Sequence, residues 1–305
     1  MKKIIGLLTI SLSLLSCSND NEEFNQEESN LNLKETILEK YDGKIFRFND
    51  NDDFLKFYND LSNLNPKEFN DFLLIKNDNN SIYYRNLSNE EEIVDEETSN
   101  EGKVEKKSNT EIVLSEYIST IFNYDNNIMI GNDVIFLNEK GELISTSKNE
   151  IIGSLHNSSL SNNELNRHNV NYTKSWTITN GSKRVTLSIF NESLYINNAL
   201  SSSKIFYRVH QQYKSCSFWR CTWKNDDISA QLSPNLSMSG TCQWTNNGIN
   251  GFEFISSAVF TKNISNYVFV GPCALNTIYI TGSFNYARSG YSTNFSNIAY
   301  DFNPF

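Results

Sequence analysis

An α+β N-terminal module followed by an all-β C-terminal domain, sandwich or jelly-roll-like, is the fold the sequence predicts, on three observations. Charge divides the chain: residues 18–165 carry 31 acidic and 13 basic side chains, whereas residues 166–305 carry 5 acidic and 11 basic. A step of that size places a domain boundary in the polar stretch 151–171, between a module at 31–150 and a domain at 172–305. Before the step, helix-capping signals alternate with strand patterns; after it, short β-rich runs recur between Asn, Gly and Ser clusters. Hydrophobic content of 38%, with 13% aromatic, suffices for folded cores and excludes wholesale disorder.

Residues 1–16 read as a lipoprotein signal peptide. Lys2 and Lys3 form a positive start, and residues 4–15 form an apolar run that falls short of the about 20 residues a spanning helix needs. The run ends Leu14-Leu15-Ser16-Cys17 and resembles a bacterial lipobox, with Leu15 bulkier than usual at its position. Cys17 is then the acylated first residue of the mature chain, and residues 17–30 are an acidic tether. The other reading is an ordinary secretory signal with an incidental cysteine. Several acyl chains, at about 0.8 kcal/mol per buried methylene, hold a protein where a single chain does not.

The module is read element by element. "GKIFRFND" (43–50) alternates as a short strand, and Phe54, Leu55, Tyr58 and Leu61 then recur at helical spacing. The preceding "NDNDD" offers oxygens to calcium but lacks the glycine and distal glutamate of an EF-hand; capping by Asp52 or Asp53 explains it better. Asn65 as N-cap, Pro66 at N1 and Glu68 at N3 form a capping box for a second helix. The charged stretch 88–109 is expected to be a disordered insertion. Ile112, Tyr117, Ile118 and Ile121 share one side of a third helix. Breaks at Gly131-Asn132 and at Glu139-Lys140-Gly141 then divide a three-stranded meander.

Two stretches carry a family resemblance. "GKIFRFNDNDDFLKFYNDLSNLNPKEF" and "EYISTIFNYDNNIMIGNDVIFLNEKGEL" resemble the N-terminal module of a group of Bacteroidota cell-surface lipoproteins of unknown function. In that pattern a helix ending "ILN" leads through an acidic turn and "IGD" to a strand; here Ile121-Phe122-Asn123 and Ile130-Gly131-Asn132-Asp133 stand in those places. The basic, aromatic "KIFYRVHQQYKSCSFWRCTWK" is similar to a hairpin in the family's β-rich domain. Residues 18–23, Ser-Asn-Asp-Asn-Glu-Glu, resemble the export label such lipoproteins carry beside the acylated cysteine. The resemblance implies a lipid-anchored protein on the outer face of the bacterial outer membrane, and it implies no catalytic residue.

In the C-terminal domain, Asn180-Gly181 between two β-rich runs is a two-residue hairpin signal, and seven to nine short strands are expected in all. The oxidising compartment implied by export makes disulfides the expectation for Cys216, Cys221, Cys242 and Cys273. Four cysteines allow three connectivities; the spacing favours Cys216–Cys221 across a hairpin tip and Cys242–Cys273 between strands. Metal-binding spacing with nearby histidines is not present, so neither a metal nor a cofactor is expected.

One surface suggests a ligand. Lys204, Arg208, His210 and Lys214 alternate with Ile205, Tyr207, Val209 and Tyr213, and Arg220 and Lys224 alternate with Trp219 and Trp223. Paired, the two strands are expected to show a basic outer face to an anionic partner such as an acidic glycan. The same pattern suits a strand face that merely balances the acidic module.

Catalytic signatures fail. His156, His168 and His210 are scattered, and nucleophile-elbow, zincin and phosphate-loop motifs do not occur. Two classes of function stand: a non-catalytic binding or adhesion protein with a glycan or another surface protein as partner, and a carbohydrate-active hydrolase whose carboxylate pair, for instance Glu253 and Asp227, is not recognisable in sequence; a third reading is a structural or assembly partner of another surface protein. Nucleic acid is not an expected partner.

Overall fold

A computed structural model describes residues 35–36, 39–76, 80–81, 83, 92–93, 104–109, 114–155, 173–197, 199–217, 220–240, 244–246, 249–267 and 278–302. The signal peptide, Cys17, the tether, Cys242, Cys273, and most of the linker and insertion lie outside these residues. Among the described residues strands make up 59% and helices 18%, so the protein is β-rich with a small helical complement.

The chain enters through strand β1 (Arg47–Phe48) and helices α1 (Asn51–Ser62) and α2 (Pro66–Lys76). Asp50, rather than Asp52 or Asp53, caps α1 by accepting from the Asp53 N–H. Asp53 instead pairs with Lys40 at 2.7 Å. The capping box at α2 forms reciprocally: Asn65 Oδ1 accepts from the Glu68 N–H and Glu68 Oε2 from the Asn65 N–H, each at 2.9 Å. Two pieces of the supposedly disordered insertion are strands, β2 (Glu92–Ile93) and β3 (Val104–Asn109), each held by a partner distant in sequence. Helix α3 (Glu116–Ile121) follows, and then a meander of β4 (Asn127–Ile130), β5 (Asp133–Leu137) and β6 (Glu142–Ser145). A fourth strand, β7 (Glu150–Ser154), extends the meander into the stretch expected to be linker.

The remaining strands are β8 (Thr173–Asn180), β9 (Lys183–Ile196), β10 (Ala199–Ser217), β11 (Arg220–Asn225), β12 (Ala230–Gly240) and β13 (Trp244–Asn246). They are completed by β14 (Glu253–Ile255), β15 (Val259–Tyr267), β16 (Ile278–Arg288) and β17 (Tyr291–Phe302). The β8–β9 loop is Gly181-Ser182 rather than Asn180-Gly181: Asn180 pairs with Lys183, and Gly181 supplies the positive φ, +58°, at the first loop position.

The long β9–β10 hairpin is the spine of a 13-stranded sheet. Each of its flanks is shared end to end by two strands. Along β9 these are β8 and then β7; along β10 they are β15 and then β11. The sheet therefore continues through β7 into the N-terminal meander, across the charge step. A second sheet, in the order β14-β12-β16-β17, packs face to face on the first. Pro234 lies inside β12 but beyond Leu232, where β14 stops pairing, so its missing N–H costs no strand bond on that side.

Alternation along the spine separates two cores. Val185, Leu187, Ile189, Ile205, Tyr207 and Val209 point into the sandwich, where Tyr207 meets Phe284 edge-on at 5.4 Å. Phe190, Leu194 and Phe206 point the other way, under the three helices, where Tyr117 stacks on Phe206 at 5.8 Å. The outcome is three layers: small sheet, large sheet, helices.

Gly282 permits a close approach of β16 to β12 in the small sheet. Its φ is +145°, and a Cβ there would sit 2.2 Å from the Asn235 carbonyl oxygen. Gly282→Ala is expected to lower stability by about 1–3 kcal/mol, read as a reduced urea midpoint; an unchanged midpoint would contradict this packing.

Candidate functional site

A heavily bonded polar group of the described interior is the Glu192 carboxyl on β9, 2% exposed. It accepts from the Tyr58 hydroxyl of α1, from the Ser115 N–H at 2.7 Å and from the Ser115 hydroxyl at 2.8 Å. Ser115 Oγ in turn accepts from the Ile118 N–H and so caps α3. Burial raises the Glu192 carboxyl above its usual range, against the pull of Ser115, Tyr58 and Arg208. Burial, reinforced by Glu192, also raises the Tyr58 hydroxyl well above its usual value.

Four consecutive residues at the start of α3 bond to the sheet. The Leu114 carbonyl accepts from Arg208 at 2.7 Å, Ser115 bonds Glu192, Glu116 pairs with Arg208 at 2.9 Å, and the Tyr117 hydroxyl donates to the Thr261 carbonyl at 3.0 Å. Arg208 also donates to Thr261 Oγ1 and lies 4.9 Å over the Phe190 ring.

This placement corrects the expected basic outer face. Lys204 and Arg208 do share a face of β10, but that face is covered by the helices. Lys204 is 2% exposed, stands opposite Glu192 across the strands and over the Tyr58 ring, and donates to Asn266 Oδ1 at 2.9 Å. Burial pushes its amine down to about 8, with Glu192 and Asp60 opposing. His210 bonds Asn225 at 2.7 Å. The register separates the remainder: Lys214 stands opposite Trp223, while Lys224 stands opposite Tyr213 and so on the other face. Arg220 pairs in the backbone with Ser217 at the hairpin tip, beside the Cys216–Cys221 disulfide, which forms as expected. The six basic residues therefore form no common surface.

Three more acids of the C-terminal half also have structural partners. Asp226 pairs with Arg288, Asp227 accepts from the Ala258 N–H at 2.7 Å, and Glu253 pairs with Lys262. Among the described residues no cluster of His, Cys, Asp and Glu is fit to hold a metal ion, and no helix is long and apolar enough to cross a membrane.

An open cleft of about 820 Å³ lies elsewhere, at the outer edge of β15. It is bounded by the α1–α2 turn (62–67), Tyr117, residues 250–254 leading into β14, and Lys262, Asn263 and Asn266. One wall joins residues far apart in the chain: Asn263 Nδ2 donates to Asn63 Oδ1 at 3.1 Å and to Asn266 Oδ1 at 2.8 Å. Asn263 is 5% exposed, and its own Oδ1 has no hydrogen-bond partner. On the other wall the chain is inverted at Phe252, just before the edge strand β14, and at Phe254 within it, whereas Ile255 at the strand's end is buried. Phe252 and Phe254 are 71% and 78% exposed, while Glu253 between them turns inward to Lys262. Apolar–polar–apolar alternation is the usual mark of an apolar inner face, so this strand defeats a reading from pattern.

Comparison with family models, curated proteins and solved structures finds no match. The chemistry of the cleft therefore rests on its own residues.

The Glu192 cluster has a direct test. Glu192→Gln keeps an acceptor for Ser115 N–H and a polar partner for both hydroxyls, and is expected within about 1 kcal/mol of wild type at neutral pH. Glu192→Leu leaves those buried donors without an acceptor and Lys204 without its facing carboxyl, at a cost of about 3–5 kcal/mol. A raised carboxyl gives stability that is full below the usual 4.5 and is lost as pH climbs through the folded value. Denaturant titrations across that range are expected to show the loss in wild type and not in Glu192→Gln.

Proposed function

We propose that the protein is a lipid-anchored, outward-facing lipoprotein of the bacterial outer membrane that acts as a non-catalytic binding or adhesion protein and takes an extracellular glycan in the cleft beside β14. The anchor rests on residues 2–17 and on the resemblance to Bacteroidota cell-surface lipoproteins. In this reading the acidic, helix-bearing N-terminal module covers the basic strands, and the β-rich C-terminal domain presents the ligand.

The observation that carries the binding reading is the inverted strand. Two adjacent phenylalanines held in water beside a cleft forgo about 1.5–3 kcal/mol each relative to burial, and nothing in the described fold covers them. Such a patch next to converging amides has the composition of a ligand pocket. Hydrolysis by a carboxylate pair needs two acids flanking the scissile bond. Among the described lining residues Glu253 is the one acid, and Lys262 engages it.

The full chain, purified in detergent, is the material for the test. Because the side chains are exposed, Phe252→Ser with Phe254→Ser is expected to move stability by no more than about 0.5 kcal/mol. Its signal on a glycan array is expected to fall about tenfold or more. Undiminished binding by that variant would place the ligand elsewhere.

A further inference from the structure

Granting the glycan-binding reading, we infer that the ligand is a neutral oligosaccharide, engaged at two consecutive rings on Phe252 and Phe254 and hydrogen-bonded by the Asn63–Asn263–Asn266 wall. Phe252, the residue before β14, and Phe254 within it flank the inward-turned Glu253, and two positions at strand rise span about 7 Å. That makes a two-ring platform in series. The C–H face of a sugar ring is apolar and flat enough to lie on each phenyl, whereas a single monosaccharide covers only one.

The charge balance of the cleft sets the ligand's charge. Glu253 and Lys262 neutralise each other, Lys204 behind the wall is sealed opposite Glu192, and Lys67 at the mouth is itself engaged. Among the described lining residues both cations, Lys67 and Lys262, are already engaged. Amides dominate instead, with five asparagines, 63, 65, 250, 263 and 266, among the lining residues. An amide presents a donor and an acceptor side by side, as a sugar hydroxyl both donates and accepts. The wall is pre-ordered as well. Lys204 Nζ at 2.9 Å and Asn263 Nδ2 at 2.8 Å both donate to Asn266 Oδ1, which fixes that amide's orientation. Asn263 Oδ1, behind the wall's face, is buried and has no hydrogen-bond partner.

Calorimetric titration of the full chain with neutral sugars, from monosaccharide to hexasaccharide, and with uronic-acid oligomers of the same lengths tests this. Sugars from each family of neutral hits on the array serve as probes. Affinity for the neutral series is expected to rise about tenfold or more from one ring to two or three. It is expected to hold at about 1 M salt, where the Debye length is ~3 Å. Phe252→Ala and Phe254→Ala are each expected to remove most of the length dependence, and Asn63→Ala, at an exposed position, to weaken every neutral ligand with folding intact. Binding confined to uronic-acid oligomers and abolished by salt would overturn this inference while leaving glycan binding in place. Absence of binding to any carbohydrate would overturn both.

Discussion

The structure depends on one buried carboxyl. Glu192 sits within the longest hairpin, and it accepts three hydrogen bonds, one from Tyr58 of α1 and two from Ser115 at the head of α3. A carboxyl with 2% exposure is tolerated only when its hydrogen bonds are made. Forming it thus requires that two helical segments, some 77 and 134 residues away in sequence, be docked on the sheet. The hydrophobic layer under the helices, centred on Phe190, Phe206 and Tyr117, supplies the area; the Glu192 bonds supply the register.

The same constraint accounts for the charge step along the chain. An acidic N-terminal half and a basic C-terminal half suggest two independent bodies, but part of that asymmetry is consumed inside the molecule. Glu116 of α3 meets Arg208 of β10, and Lys204 faces Glu192 across the spine. The buried cations balance acids of the fold itself, and the cleft beside β14 is amide-rich, with Glu253 and Lys262 paired in its lining and an aromatic lip.

Legibility in the sequence followed the range of each interaction. The capping box at Asn65 and Glu68, the glycine turns of the meander and the Cys216–Cys221 bridge depend on residues within a few positions, and they were readable. Parity along β10 correctly grouped Lys204, Phe206 and Arg208. Parity does not say what lies over a face, and Phe206 among the cations was the sign that it was covered. The β10–β11 register sent Lys224 to the opposite face from Lys214, because a hairpin's register is set by its turn and not by the pattern of either strand. β2 and β3 owe their order to partners far along the chain, which composition does not encode. The cleft was hidden for the same reason: Asn63 and Asn263 are 200 positions apart, and Phe252-Glu253-Phe254 has the pattern of an ordinary strand.

The central claim, that Lys204 on the basic face of β10 is interior and closed in beside the Glu192 cluster, is tested most directly by amine labelling of the native full chain with readout by peptide mass spectrometry. Lys148, with a side chain 66% exposed, serves as the surface reference. The account predicts that Lys204 stays unlabelled while Lys148 reacts, and that denaturation brings the two to similar extents. Labelling of Lys204 at the Lys148 rate in the folded protein would contradict it.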